Sequence, residues 1–310
     1  WRDTGGCQDT QGCQSTLGGA MTDEMIDVAA LLERHRAFWA HQEGGEPLVR
    51  WRSRQQRRPF CNMEVTPGML DVEELTPAVG RRDAAGRLVQ GDLFRTVEAF
   101  ARIPWMEAIV GCGIRAGADE AMWPQAALGP GYEGLERIVP DSDNPWLRRL
   151  LALTRALVEA NDDTYLVAHT LQRGPVDMLS ALLGDVRMGE DLYLAPDRVD
   201  QVLQRTAAAF VQVTRAQHAV IPAFAGGRAC WSYGLWAPGT LVRTQSDSAS
   251  QLSPSMYRDQ ILPHDRTIFG AFDHSIIDLH SAGTLHLCPV LLEVDELDAI
   301  SITMDPYANA

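Results

Sequence analysis

The sequence predicts an α/β fold built on a parallel sheet. Three observations carry that expectation. Short apolar runs of strand type alternate with helical segments along the chain. The segments between the runs are long enough for crossover helices, so the strands should pair in parallel with right-handed connections. The 310 residues, 45% hydrophobic and 22% charged, have the balance of a globular chain with a sizeable core.

Each element follows in order. Residues 1–20 are rich in Gly, Gln and Thr and lack the apolar stretch of a secretory signal. They read as a disordered extension, with the natural start at Met21 and the domain over residues 21–310. Thr22 is placed to cap a helix running to about His41, with Met25, Val28, Ala29, Leu32 and Trp39 on its apolar face. Residues 47–53 (PLVRWRS) read as a first strand. Pro, Gly and charges mix over 59–89, which predicts loops and short elements. Residues 91–102 look helical, and 104–111 (PWMEAIVG) read as a second strand. The Gly- and Pro-rich stretch as far as Pro140 reads as an irregular excursion.

Asn144 and Pro145 then open a helix with Leu147, Leu150, Leu151, Thr154, Leu157 and Val158 on one face. Residues 165–171 (YLVAHTL) form a buried-type strand. Gly174-Pro175 turns into a helix ending near Gly184. Pro196 and Asp197 open a long amphipathic helix whose stripe is Val199, Val202, Leu203, Thr206, Phe210 and Val213. Residues 240–247 (TLVRTQSD) are a strand. A helix starting at Ser253-Pro254 is interrupted by Pro263. Residues 275–280 (SIIDLH) and 298–305 (DAISITMD) are the last two strands.

Charge and cysteine usage exclude several classes. Lys and Arg number 27 against 41 Asp and Glu, a formal charge of −14. So acidic a surface argues against general nucleic-acid or anionic-membrane binding. No apolar run is long enough to span a bilayer. The six cysteines, Cys7, Cys13, Cys61, Cys112, Cys230 and Cys288, are scattered without a CxxC pair and read as free thiols of a cytoplasmic protein.

Four stretches together resemble the uroporphyrinogen decarboxylase superfamily. They are RGPVDMLSALLG (173–184) with LAPDRVDQVLQRTAAAFVQV (194–213), SDSASQLSPSMYRDQILP (246–263), LHSAG (279–283) and LDAISITMDP (297–306). Their order and spacing match the family from about Trp105 onward, and PWMEAIVGCGI (104–114) resembles its uncharacterised members. The resemblance implies a TIM-type (β/α) barrel whose ligands bind at the carboxyl ends of its strands. Six barrel-type strands are legible from Pro47 onward, fewer than the family's eight, so the barrel reads as C-terminally incomplete. Either further strands escape this count, or a partner chain closes the sheet, or the chain is a fragment; a homodimer is among the expected partners.

The resemblance implies two activities: decarboxylation of an acidic tetrapyrrole, and methyl transfer with a corrinoid protein. For decarboxylation, Arg54 and Arg58 in the only dense basic cluster would grip the carboxylates of a small-molecule substrate. Asp247 would orient pyrrole N–H groups and His280 would position or protonate the reacting arm. Glu107, Trp231 and Tyr233 are further candidates for the lining, with Trp105 and Trp236 as core or lid aromatics. No metal or organic cofactor is then needed. For methyl transfer, His280 would be one ligand of a zinc ion. The family's His-x-Cys pair is not kept, because Ala282 stands at the second position. A third reading is a non-catalytic barrel that binds a ligand or partner.

Overall fold

The computed structural model describes residues 27–50, 60–80, 89–230 and 233–305. The extension over 1–20, the start at Met21, the Thr22 cap, Arg54, Arg58 and Trp231 lie outside the described residues. Helix α1 (Val28–Trp39) begins where the Asp27 carboxylate accepts the N–H groups of Ala29 and Ala30 at 2.9 and 3.2 Å. It buries Leu31, Leu32, His35 and Trp39, while Ala29 of the expected face is exposed. Residues 47–50 form no strand. Strand β1 (Met63–Val65) and helix α2 (Val72–Gly80) occupy the stretch expected to hold short elements.

Residues 91–102 are not helical. Strands β2 (Val89–Gln90) and β3 (Leu93–Phe94) form a hairpin, followed by β4 (Thr96–Val97). Gly91 makes the turn at φ +65°, and a Cβ there would strike the Val49 carbonyl. Residues 104–111 are not a strand either; they hold helix α3 (Trp105–Ile109), with all five residues buried. A short apolar run has no period that separates a buried strand from a buried helix. The excursion that follows is more regular than expected. Strands β5 (Gly113–Ala116) and β6 (Met122–Gln125) join β1 in an antiparallel sheet ordered β1-β5-β6.

From here sequence and structure agree closely. Asn144 caps α4 (Pro145–Glu159) by accepting from Trp146 and Leu147 at 3.1 and 3.0 Å. Strand β7 (Leu166–Val167) pairs in parallel with β4. Helix α5 (Pro175–Leu183) ends at Gly184, whose φ of +83° turns the chain into an additional helix, α6 (Asp185–Leu194). Every residue of the expected stripe on α7 (Pro196–Val220) is buried. Strands β8 (Gly227–Ala229) and β9 (Trp236–Pro238) make an antiparallel hairpin before β10 (Leu241–Gln245).

Helix α8 (Pro254–Met256) runs through a π turn at Tyr257–Ile261 into α9 (Leu262–Phe269). Pro263 has no N–H to return to the Asp259 carbonyl, which accounts for the widened turn. Strand β11 (His274–His280), the short helix α10 (Cys288–Leu291) and β12 (Ala299–Thr303) complete the described chain.

Strands β10, β11 and β12 are parallel, with Gln245 opposite Asp278 and Asp278 opposite Ser301. Their carboxyl ends therefore lie together. The parallel strands form a pair and a triplet, so among the described residues no closed barrel is present. The main core lies where α3, α4, α5, α7 and α9 pack together, and includes Trp105, Phe210, Tyr257 and Phe269. Cys61, Cys112 and Cys288 are free thiols. No described helix is long and apolar enough to cross a membrane.

Candidate active site

Parallel pairing brings one acid–base group from each of three adjacent strands to one end of the sheet. His280 is the last residue of β11, Asp247 lies two residues beyond the end of β10, and Asp305 two residues beyond the end of β12. His280 Nδ1 lies 2.9 Å from Asp305 Oδ1, and Nε2 lies 3.6 Å from Asp247 Oδ1. The turn after β11 is held by the same groups. The His280 N–H donates to Thr284 Oγ1 at 2.8 Å, and the Ala282 N–H donates to Asp305 Oδ2 at 3.0 Å.

Burial pulls the His280 pKa down, but the Asp305 hydrogen bond and the charges of Asp247, Asp305 and Asp278 outweigh it, so the net direction is up. The Ala282 N–H and the His280 ring hold the Asp305 carboxyl below its ordinary value. With the imidazole side chain 35% exposed, His280 is an anchored acid that solvent or a ligand can reach.

Behind this array sits a second charged group. Arg173 follows β7, and its Nε lies 2.6 Å from Glu107 Oε1 on α3. Glu107 is 1% exposed and the Arg173 side chain 31%, so the guanidinium rather than the carboxylate reaches the mouth. Gly174 explains how Arg173 is fixed. Its N–H donates to the Gln245 carbonyl at 2.8 Å, and an added Cβ would stand 2.7 Å from that oxygen and 2.8 Å from Thr244 Oγ1. Only a glycine lets the Arg173 loop approach the end of β10 this closely.

Burial pushes the Glu107 carboxyl up, against the pull of Arg173. Burial and then Glu107 push the Cys112 thiol up to about 12, which makes it a poor nucleophile. Asp177, on the first turn of α5, accepts the Ser248 N–H at 2.7 Å; burial and then the charge of Asp247 raise it to about 8.

A third cluster lies within the parallel triplet. Arg243 Nη2 is 2.7 Å from Asp278 Oδ2, Tyr233 Oη and Ser301 Oγ each donate to Asp278 Oδ1 at 2.6 Å, and Thr303 Oγ1 donates to Oδ2 at 3.1 Å. The Tyr233 hydroxyl is thus tied to the Arg243–Asp278 pair. Trp105 and Trp236 are fully buried and belong to the packing.

The donors do not suit a zinc ion. Among the described residues no three His, Cys, Asp or Glu side chains group to hold a metal. His280 has one ring nitrogen on Asp305 and the other turned to Asp247, and Cys288 stands on α10. A single imidazole falls short of the three protein ligands zinc usually takes.

No family model and no curated protein matches the chain. Among solved structures, a methyltransferase from Methanosarcina mazei matches with a TM-score of 0.53 at 14% identity, over 87% of this chain and 75% of that one. The fold is shared with a methyltransferase. That likeness supports a TIM-like α/β architecture, and at this identity it carries no further.

Of the residues expected from sequence, Asp247 and His280 come together at the mouth, and Glu107 reaches it only through Arg173. Arg173, Asp177 and Asp305 were not anticipated. Asp305 had a usable signal, since it ends the last strand as Asp247 ends an earlier one. Arg173 and Asp177 lie in RGPVDMLSALLG, where no strand end marks either of them.

Proposed function

We propose that this chain is a methyl-transfer enzyme of the uroporphyrinogen decarboxylase superfamily, with His280 as its general acid. The observation that carries the reading is the His280 array: an imidazole held between Asp305 and Asp247 at the carboxyl ends of parallel strands. This is where a TIM-like fold assembles its chemistry. The fold shared with a methyltransferase ranks methyl transfer ahead of tetrapyrrole decarboxylation.

In this reading a small methyl donor, an alcohol, ether or amine, binds at the mouth. As the bond from methyl carbon to heteroatom breaks, the methyl group passes to a nucleophilic acceptor and the leaving heteroatom takes the His280 proton. Asp305 fixes the ring and, with Asp247, stabilises the imidazolium before transfer. Solvent at the half-exposed ring restores the proton. A corrinoid on a partner protein would supply the accepting nucleophile. No step is assigned to zinc, since the residues do not fit it.

The test is anaerobic incubation with reduced cobalamin and a panel of methyl donors, read by visible absorbance. Uroporphyrinogen and coproporphyrinogen are run in parallel. Donor-dependent formation of methylcobalamin, lost in His280→Ala, is expected. Consumption of porphyrinogens without any cobalamin reaction would replace this reading by decarboxylation. Silence with both would favour a non-catalytic barrel and overturn the proposal.

A further inference from the structure

Three carboxyl groups, Glu107, Asp177 and Asp247, act on one guanidinium, that of Arg173. Ionising all three places three negative charges around that guanidinium, and two of the carboxyls, Glu107 and Asp177, are only 1% and 3% exposed, so one is better neutral. Geometry selects which. Glu107 has its own ion pair with Arg173 at 2.6 Å. Asp247 is more exposed and has His280 Nε2 at 3.6 Å. Asp177 has neither. It is 3% exposed, and its Oδ1 accepts the Ser248 N–H while its Oδ2 is buried with no hydrogen-bond partner among the described residues.

An ionised carboxylate oxygen in that setting is an unsatisfied acceptor; a proton there turns it into a donor. The acceptor is close by in the chain. Asp247 immediately precedes Ser248, and its Oδ1 is likewise buried without a hydrogen bond.

We propose that Asp177 is the neutral acid of the site and the positioning residue for Asp247. One oxygen holds the turn that carries Asp247, and the protonated oxygen donates to the Asp247 carboxylate, setting it against His280. The inference rests on the reading of Asp247 and His280 as the reacting pair, but not on which reaction they perform. Every charged group near Asp177 fits. Burial and then the Asp247 charge favour its neutral form and outweigh Arg173 and the backbone N–H groups of Ser248 and Asp247, and Tyr257 from the π turn is itself kept neutral by burial and by Asp265, to which its hydroxyl donates at 2.5 Å.

The experiment is a carboxyl-13C NMR titration of the full chain labelled at aspartate, with the imidazole 15N titration of His280 and thermal denaturation alongside. Asp177→Asn is close to isosteric with the neutral acid: its oxygen keeps the Ser248 N–H and its amide donates. One wild-type resonance should titrate near pH 8, vanish in Asp177→Asn and move to lower pH in Asp247→Asn. The His280 midpoint should shift in Asp177→Ala and return to the wild-type value in Asp177→Asn, which a merely structural role would not produce.

An Asp177 resonance in the ordinary carboxylate range, or an Asp177→Asn protein that loses as much melting temperature as Asp177→Ala, would overturn the proposal. If Asp177→Ala does not fold, wild type against Asp177→Asn decides alone. None of these readouts needs methyl transfer, so a failed transfer assay leaves them intact. Conversely, an ordinary Asp177 beside active transfer removes only this inference.

Discussion

Two arginine–carboxylate pairs stand near the carboxyl ends of the strands, and they are built differently. Arg243 and Asp278 are 7% and 2% exposed, and Asp278 receives Tyr233, Ser301 and Thr303 as well as the guanidinium. Both its oxygens are fully used. Arg173 and Glu107 share one short contact, with the guanidinium open to the mouth. The first pair has its carboxylate fully satisfied from within the triplet, and its value lies in locking β10, β11 and β12 in register. The second leaves hydrogen-bonding capacity unspent, as a site that must meet a substrate does. A buried, satisfied pair marks structure, and an under-satisfied one at the rim marks chemistry.

The sharpest way to break that comparison is to remove one partner from the closed pair. Asp278→Ala strands Arg243 without its counter-ion in the parallel triplet. Loss of a buried partner costs about 3–5 kcal/mol, enough to leave the protein largely unfolded at moderate urea. Urea denaturation followed by circular dichroism checks it. A loss under about 1 kcal/mol would mean that the network is not structural and that the contrast fails.

His280→Ala should do the opposite. The side chain is half-exposed and its backbone bond to Thr284 survives, so stability should change by about 0.5 kcal/mol or less. The rate of the reaction it serves should fall by about 10²–10⁴. Turnover equal to wild type would take His280 out of the acid role, whatever the reaction proves to be.

Gly174→Ala tests whether the open pair is held rigidly. The new Cβ would meet the Gln245 carbonyl at 2.7 Å, and backbone cannot yield as a side-chain tip does. Overpacking of this kind costs about 1–3 kcal/mol and should displace Arg173 from the mouth. A melting temperature equal to wild type would show that the loop is free to move and that Arg173 is not pre-positioned.

Most of the second half of the chain was legible in its sequence. Pro at the first turn of α4, α5 and α7, and the capping Asn144, are local signals that tertiary structure leaves alone. Strands β10 and β11 are buried as expected of parallel strands, while β12 at the edge of the triplet is only partly covered. The first half was less legible, for a physical reason. Strands β3 and β4 are two residues each, too short to show a period, and β4 exists because β7 pairs with it. Helix α3 is five residues long and buried on every side, so nothing in its pattern separates it from a strand. The site divides the same way. Asp247 and His280 could be read from strand ends, whereas Arg173 and Asp177 acquire their meaning from a close approach at Gly174 that only the folded chain displays.

The smallest expected effect is the pH dependence of the rim, and its sign separates the two acid–base groups there. The His280 pKa is raised above its ordinary 6.5, so its stabilising contribution is fully present below that value and is lost as pH rises through the higher folded-state value. The Asp305 pKa is lowered below 3.8, so its contribution is present above that value and is lost as pH falls through the lower folded-state one. Between 3.8 and 6.5 both groups are charged and the pair is at its strongest. The melting temperature of wild type minus that of His280→Gln should therefore be largest in that window and shrink toward alkaline pH. The closed pair predicts no such trend, because an arginine replaces the imidazole and stays charged throughout. A difference that grew above neutral pH would mean that His280 is favoured as the neutral base, and the proton in the proposed transfer would have to come from elsewhere.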